Sequence, residues 1–398
     1  MKANYKKLGP YIRAVKEKNN LGSSYELMGV NIDKFFMPSV ANIVGTDLSK
    51  YKVVKPGHFA CNRMHVGRDE RLPVALSREV GNIIVSPAYD VFEVIDEKEL
   101  LSEYLMMWFS RKEFDRNTWF HTDADVRGGL PWEDFYDLEL PIPSIEKQKE
   151  IVAEYNTIVN RIKLNEQINR KLEETAQAIY KQWFVDFEFP ISKESATEIG
   201  KPELKGQPYK SSGGKMVWND ELDQEIPAKW EPGSILDMFE LQRGFDLPIQ
   251  KRIQGNVPIY AANGLSDYHS KAKVKAPAVI TGRSGTIGNV FYTSKECWPL
   301  NTTLWVKNFN LAKPILAYFI LKNTELKGLH SGSAVPTLNR NDIHELPTVK
   351  PHAYVVELFE LIIGKLFNQT GILVSEINSL TSLSGILLSK MSKAEATA

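Results

Sequence analysis

The segment IVAEYNTIVNRIKLNEQINRKLEETAQAIYKQWF, Ile151 to Phe184, places apolar residues at heptad spacing. Ile151, Ile158, Leu172 and Ile179 hold one phase, interrupted at Asn165. Tyr155, Ile162, Ala176 and Trp183 hold a second, interrupted at Asn169. Two seam positions per heptad describe a helix that packs along another helix. The matching helix lies in the same chain. Phe359, Leu366, Leu373, Leu380 and Leu387 keep an unbroken phase, each 208 residues after positions 151, 158, 165, 172 and 179. Two seams in one register, half a chain apart, indicate an internal duplication. A helix from Ile151 to Trp183 is about 50 Å long at 1.5 Å per residue.

The duplication continues upstream. EDFYDLELPIP (Glu133–Pro143) matches NDIHELPTVKP (Asn341–Pro351) at the same offset. VKPGHFACNRMHVG (Val54–Gly67) lies over VKAPAVITGRSGTI (Val274–Ile287) at offset 220, which sets Arg63 on Arg283. PAYDVFEV (Pro87–Val94) lies over PLNTTLWV (Pro299–Val306) at offset 212, which sets Asp90 on Thr302. The order therefore reads globular, helix, globular, helix. Each globular part alternates short β-branched and aromatic runs with turn residues and then turns helical, the pattern of an α+β domain. Between the halves, residues 191–229 are rich in Lys, Ser, Gly and Pro and have the composition of a linker.

Bulk properties narrow the function. With 398 residues the chain can bury more than one core. No uninterrupted apolar run reaches membrane-spanning length, the N-terminus lacks a secretory apolar core, and two cysteines make no disulfide framework, so a cytoplasmic protein is expected. Catalytic patterns are missing. GRSGTIG spaces its glycines G-x-x-G-x-x-G, which is not a phosphate loop, and its counterpart in the first half holds one glycine. The histidines form no metal-ligand spacing. The pattern is that of a protein that binds without catalysing.

Net charge is zero, yet two windows are free of acids. From Leu48 to Arg68 stand Lys50, Lys52, Lys55, Arg63 and Arg68, and from Tyr268 to Lys295 stand Lys271, Lys273, Lys275 and Arg283. They occupy the same place in the duplication, which predicts a positive surface for DNA phosphates. Lys271, Lys273 and Lys275 alternate as residues on one side of a strand would. Arg63 and Arg283 are expected at turn tips, where an arginine reaches a guanine edge, with Asn62, Ser284 and Thr286 as hydrogen-bonding neighbours.

Four stretches carry a family resemblance: ELPIPSIEKQKEIV, AIYKQWFVDFEFP, QPYKSSGGKMVW with EIPAKWE, and GRSGTIGNVFY. Together with the duplicated order, they resemble the specificity subunit of Type I restriction-modification enzymes. The resemblance implies two target recognition domains, residues 1–143 and 230–350, each followed by a conserved helical region, 144–190 and 351–398. It implies that the two long helices pack as an antiparallel coiled coil. It also implies double-stranded DNA as ligand and no cofactor on this chain. The expected partners are two modification subunits using S-adenosylmethionine and restriction subunits using ATP and Mg²⁺. The second junction, ELPTVKPHAYVVELF, lacks the Gln148–Lys149 pair of the first, which leaves its contact with a modification subunit less defined. A scaffold whose globular ends bind proteins is the competing reading.

Overall fold

The structure, a computed structural model, describes residues 5–20, 25–41, 45–78, 80–122, 128–198, 200–329 and 336–391. The chain forms two compact units, residues 1–166 with 374–398, and residues 167–373. Each unit holds one globular domain and part of both long helices.

In the first unit, strands β1 (Tyr5–Lys7), β2 (Ile12–Val15), β3 (Glu26–Val30), β4 (Phe36–Pro38) and β5 (Lys52–Val54) precede β6 (Phe59–Cys61), β7 (Val74–Leu76), β8 (Ile83–Val85), β9 (Asp90–Val94) and β10 (Glu139–Pro141). They form an antiparallel sheet of order β2-β9-β6-β7 and a mixed sheet of order β4-β3-β8-β5, with β3 parallel to β8. Helix α1 (Ser102–Phe109) covers the first sheet. The side chains alternate as a pleat requires: Phe59 and Cys61 join Phe92 on the helix side, while Ala60 and Val91 join the core toward the second sheet. Both faces are covered, so FAC and VAL read as continuous apolar runs. β1 pairs with β10 and ties the N-terminus to the entry of helix α2 (Ile145–Phe184).

The second unit repeats this plan. Its strands are β11 (Met216–Asn219), β12 (Gln224–Pro227), β13 (Glu231–Ser234), β14 (Phe239–Arg243), β15 (Val257–Ala261), β16 (Gly264–His269), β17 (Ala278–Gly282), β18 (Val290–Thr293), β19 (Trp298–Pro299), β20 (Thr303–Phe309) and β21 (Pro347–Lys350). The sheet β14-β20-β17-β18 is antiparallel, and β16-β15-β19 includes a parallel β15–β19 pair. Helix α3 (Pro314–Asn323) covers the first sheet, and β13–β21 mirrors β1–β10. Two backbone bonds fix the alignment residue by residue. Leu130 N donates to Arg63 O and Leu338 N to Arg283 O, at 2.9 and 2.8 Å.

The long helices run antiparallel. In the first unit, Ile151, Val152 and Tyr155 of α2 share a core with Leu388 of helix α4 (Ala353–Lys390). In the second, Ala176, Tyr180 and Trp183 share one with Val355, Phe359 and Ile363. Phe359 and Leu373 are buried, and Ile151, Ile158, Leu172, Ile179, Leu366, Leu380 and Leu387 are half-buried, while most intervening positions are exposed. The breaks at Asn165 and Asn169 are shielded too, Asn165 completely. Arg161 pairs with Glu376 across the helices at 2.7 Å. Helix α4 has the length and mean hydropathy of a membrane span, a feature that reading uninterrupted runs misses. Val355, Val356, Phe359, Ile363 and Leu373 are buried in protein cores and the seam, while Leu361, Ile372, Leu383 and Ile386 are exposed.

Two sequence readings need correction. Residues 191–229 are not a free linker. Phe189 stacks on Tyr209 at 4.6 Å and on Trp230 at 5.0 Å, and Ile191, Ala196 and Ile226 join the same core. The β11–β12 hairpin completes this cover. Gln148, in turn, is fully buried. Its Oε1 accepts from Leu101 N at 2.9 Å, and its Nε2 donates to Glu99 O and Pro143 O at 2.8 and 2.9 Å. The side chain that resembles part of a subunit-contact motif is an internal tie holding the start of α1 to the start of α2.

Candidate nucleic-acid interface

The first basic window is acid-free along the chain and acid-rich in space. Lys50 lies 3.5 Å from Asp47, Lys55 2.6 Å from Glu17, and Arg68 2.7 Å from Asp69. Lys52 donates to Tyr89 O at 2.5 Å and lies 3.7 Å from Asp90. His58 faces Glu93 at 3.2 Å, but burial lowers its pKa. Arg63 is the most enclosed of the cations. Its Nε donates to Asp90 at 2.9 Å, a terminal nitrogen donates to Leu130 O, and the guanidinium lies 4.4 Å from the Trp132 ring centroid. Arg63 opens a 3₁₀ turn that Asn62 caps by accepting from Met64 N, so neither residue stands at a hairpin tip. Lys50, Lys55 and Arg68 are the members whose pairs are solvent-exposed, and such pairs exchange readily for a phosphate.

The second window differs. Lys271, Lys273 and Lys275 lie in the connection between β16 and β17, not on a strand as their spacing suggested. A single bridge, Val274 to Cys297, buries Val274 and leaves the three lysines exposed, so their alternation survives without a ladder. Lys271 and Lys275 have no ion-pair partner among the described residues. The Lys273 ammonium lies over the Trp298 and Phe245 rings, 5.3 and 5.7 Å from their centroids. Such contacts leave the charge free while fixing the stem.

Arg283, Ser284 and Thr286 follow β17 in the glycine-rich turn. Each glycine there has a structural reason. A Cβ on Gly282 would stand 2.0 Å from Thr286 O, and Gly285 and Gly288 have φ of 84° and 90°. Ile287 is buried and pins the turn to the core. The turn is thus a rigid mount, with Thr286 exposed and Ser284 half-exposed.

The repeat offset explains why the two arginines differ. Where the first unit has Asp90, the second has Thr302. Arg283 N and Ser284 N both donate to Thr302 O, at 2.9 and 3.1 Å. On the other side, Arg243 ends β14, and the next residue's N–H donates to Thr303 O at 3.0 Å. Arg243 and Arg283 therefore flank the start of β20, with no acid paired to either among the described residues. Partial burial, and then the charge of Arg243, holds the Arg283 pKa below the usual arginine value. The Thr302 hydroxyl is shielded from water and has no hydrogen-bond partner among the described residues. Sequence reasoning missed Arg243, because no local pattern marks it. The replacement of Asp90 by Thr302 was its one available signal.

No group of three or more His, Cys, Asp or Glu residues among those described could hold a metal ion. Cys61 and Cys297 are buried free thiols, and burial raises both pKa values, so neither is set up as a nucleophile.

The chain is similar to known proteins. A family model for the Type I restriction modification DNA specificity domain matches residues 227–352. The Type I restriction enzyme HindI specificity subunit of Haemophilus influenzae is 24% identical, over 91% of this chain and 92% of its own length. The MjaIX specificity subunit of Methanocaldococcus jannaschii is 28% identical over 39% of this chain and 31% of its own. The crystal structure of the Type I restriction-modification S subunit from M. genitalium has the same fold, with a TM-score of 0.59 at 13% identity, over 97% of this chain and 95% of that one. The duplicated fold with its paired helices is the fold of that S subunit, and residues 227–352 match the DNA specificity domain. Across nearly its whole length the chain is similar to specificity subunits of Type I restriction-modification enzymes.

Proposed function

We propose that this chain directs a Type I restriction-modification complex to a split DNA site, with each globular domain reading one half. The observation that carries the reading is the duplication itself. Two domains of one sheet order are joined by antiparallel helices, and one chain thus supplies the paired readers that a dimer supplies to a two-part site. Residues 1–143 and 230–350 are the two readers, and 144–190 and 351–398 are the helical regions between them. Lys50, Lys55, Arg68, Lys271, Lys273, Lys275, Arg283, Ser284 and Thr286 are the side chains available to DNA, whereas Lys52, Asn62 and Arg63 serve their own domain. Two modification subunits would methylate adenine with S-adenosylmethionine, and restriction subunits would cut with ATP and Mg²⁺, all in the cytoplasm.

The test is to map methylated adenines across the genome of cells with and without the chain. The second arm exchanges residues 1–143 for the corresponding domain of a relative. One half of the methylated sequence should change and the other stay. No chain-dependent methylation, or a change in both halves, would refute the division into independent readers. A protein-binding scaffold would leave methylation untouched.

A further inference from the structure

We propose that Arg243 and Arg283, set on either side of Thr302, grip one backbone phosphate of bound DNA. The inference rests on the DNA-recognition reading and adds to it a defined contact that only the second domain has. Two cations held at one strand end repel, and partial burial of one deepens the cost. A fold tolerates that arrangement when an anion completes it. The first domain supplies its own anion: Asp90 holds Arg63 at 2.9 Å. The second domain has lost that acid to Thr302, has gained Arg243, and keeps the backbone tie from Leu338 to Arg283 unchanged.

Nearby acids do not fill the gap. Asp246 accepts from the Asn301 side-chain amide. Residues 330–335, HSGSAV, which adjoin the segment bonded to the turn, contain no carboxylate. Thr302, which stands where the first domain has its acid, brings no charge of its own. Two guanidinium groups fit a tetrahedral anion, since planar forks can each offer paired N–H donors to phosphate oxygens. A guanine edge is neutral and would leave one of the two charges uncompensated.

The experiment measures binding of the full chain to mixed-sequence double-stranded DNA by fluorescence anisotropy at several salt concentrations. A phosphate contact is independent of sequence, so the target site need not be known. Arg243→Gln and Arg283→Gln should each flatten the slope of log affinity against log salt by about 0.9, or roughly three- to four-fold between 50 and 200 mM. The double variant should lose little more than either single one, because one phosphate is shared. Arg243→Lys should keep the slope. Thr302→Asp, which installs the acid of the first domain, should act like Arg283→Gln while its thermal unfolding stays close to that of the parent. Unchanged slopes in all glutamine variants would overturn the proposal. So would a loss confined to sequences with a G·C pair at one position, which would make the pair a base reader. If the unaltered chain failed to bind DNA with any salt dependence, the recognition reading itself would fall.

Discussion

Replacing Gln148 with leucine should loosen the junction of α1 and α2 in the first unit. The side chain is fully buried and makes three hydrogen bonds of 2.8 to 2.9 Å. Leucine nearly conserves volume, so the cavity contribution is small. What remains is the Leu101 N–H without its acceptor and two carbonyls without a donor. At about 1–3 kcal/mol for each buried group left unpaired, and with some relaxation at the carbonyls, the loss is roughly 3–6 kcal/mol. In a unit of this size each kcal/mol moves the melting temperature by about 2–4 °C. Calorimetry on the full chain should show one transition falling while the other stays. Amide exchange at the start of α1 should rise in parallel. Lys149→Ala, one residue along and exposed, should stay within about 0.5 kcal/mol of the parent. The reasoning fails if Gln148→Leu unfolds within 1 kcal/mol of the parent, as estimated on the same scale, yet no longer assembles with modification subunits. That result would make the residue a partner contact.

The Glu360 carboxyl caps α3 by accepting from Leu316 N at 2.8 Å, and burial pushes its pKa up to about 7 from an ordinary 4.5, although Lys313 opposes the shift. A raised acid pKa favours the folded state when protonated, so this contribution is full below pH 4.5 and is lost as pH rises through about 7. Urea midpoints should therefore fall from pH 5 to 8 in the parent and change less in Glu360→Gln; equal slopes would refute the assignment. Asn165 is shielded with no hydrogen bond to its amide, although the Glu376 carboxylate is close enough to feel it. Asn165→Leu should stabilise the chain by about 1–3 kcal/mol in urea unfolding, and a loss would show that the amide is satisfied.

The helices were legible because a heptad is a local pattern. Even its flaws were informative, since Asn165 and Asn169 occupy seam positions and are shielded as the phase requires. The fold of residues 191–229 was not legible. It depends on Phe189, Tyr209 and Trp230, spaced too far apart and too irregularly to form a period. Charge misled in the first domain because Glu17, Asp90 and Glu93 come from other strands and loops to meet the basic window. In the second, strand pairing brings Arg243 opposite Leu304, beside a turn some forty residues away in sequence. Alternation of the three lysines correctly implied exposure but wrongly implied a strand.

The glycine-rich turn bears on how such a chain could be retargeted. Gly282, Gly285 and Gly288 are spoken for by the backbone, and Ile287 by the core. Beside them, Ser284 and Asn289 contribute main-chain atoms to the local bonds, while Thr286 and Asn289 are solvent-exposed. A library that randomises these three positions and spares the other four would vary chemistry on an unchanged mount. A library that randomises the whole turn would spend most of its members on chains that cannot close it.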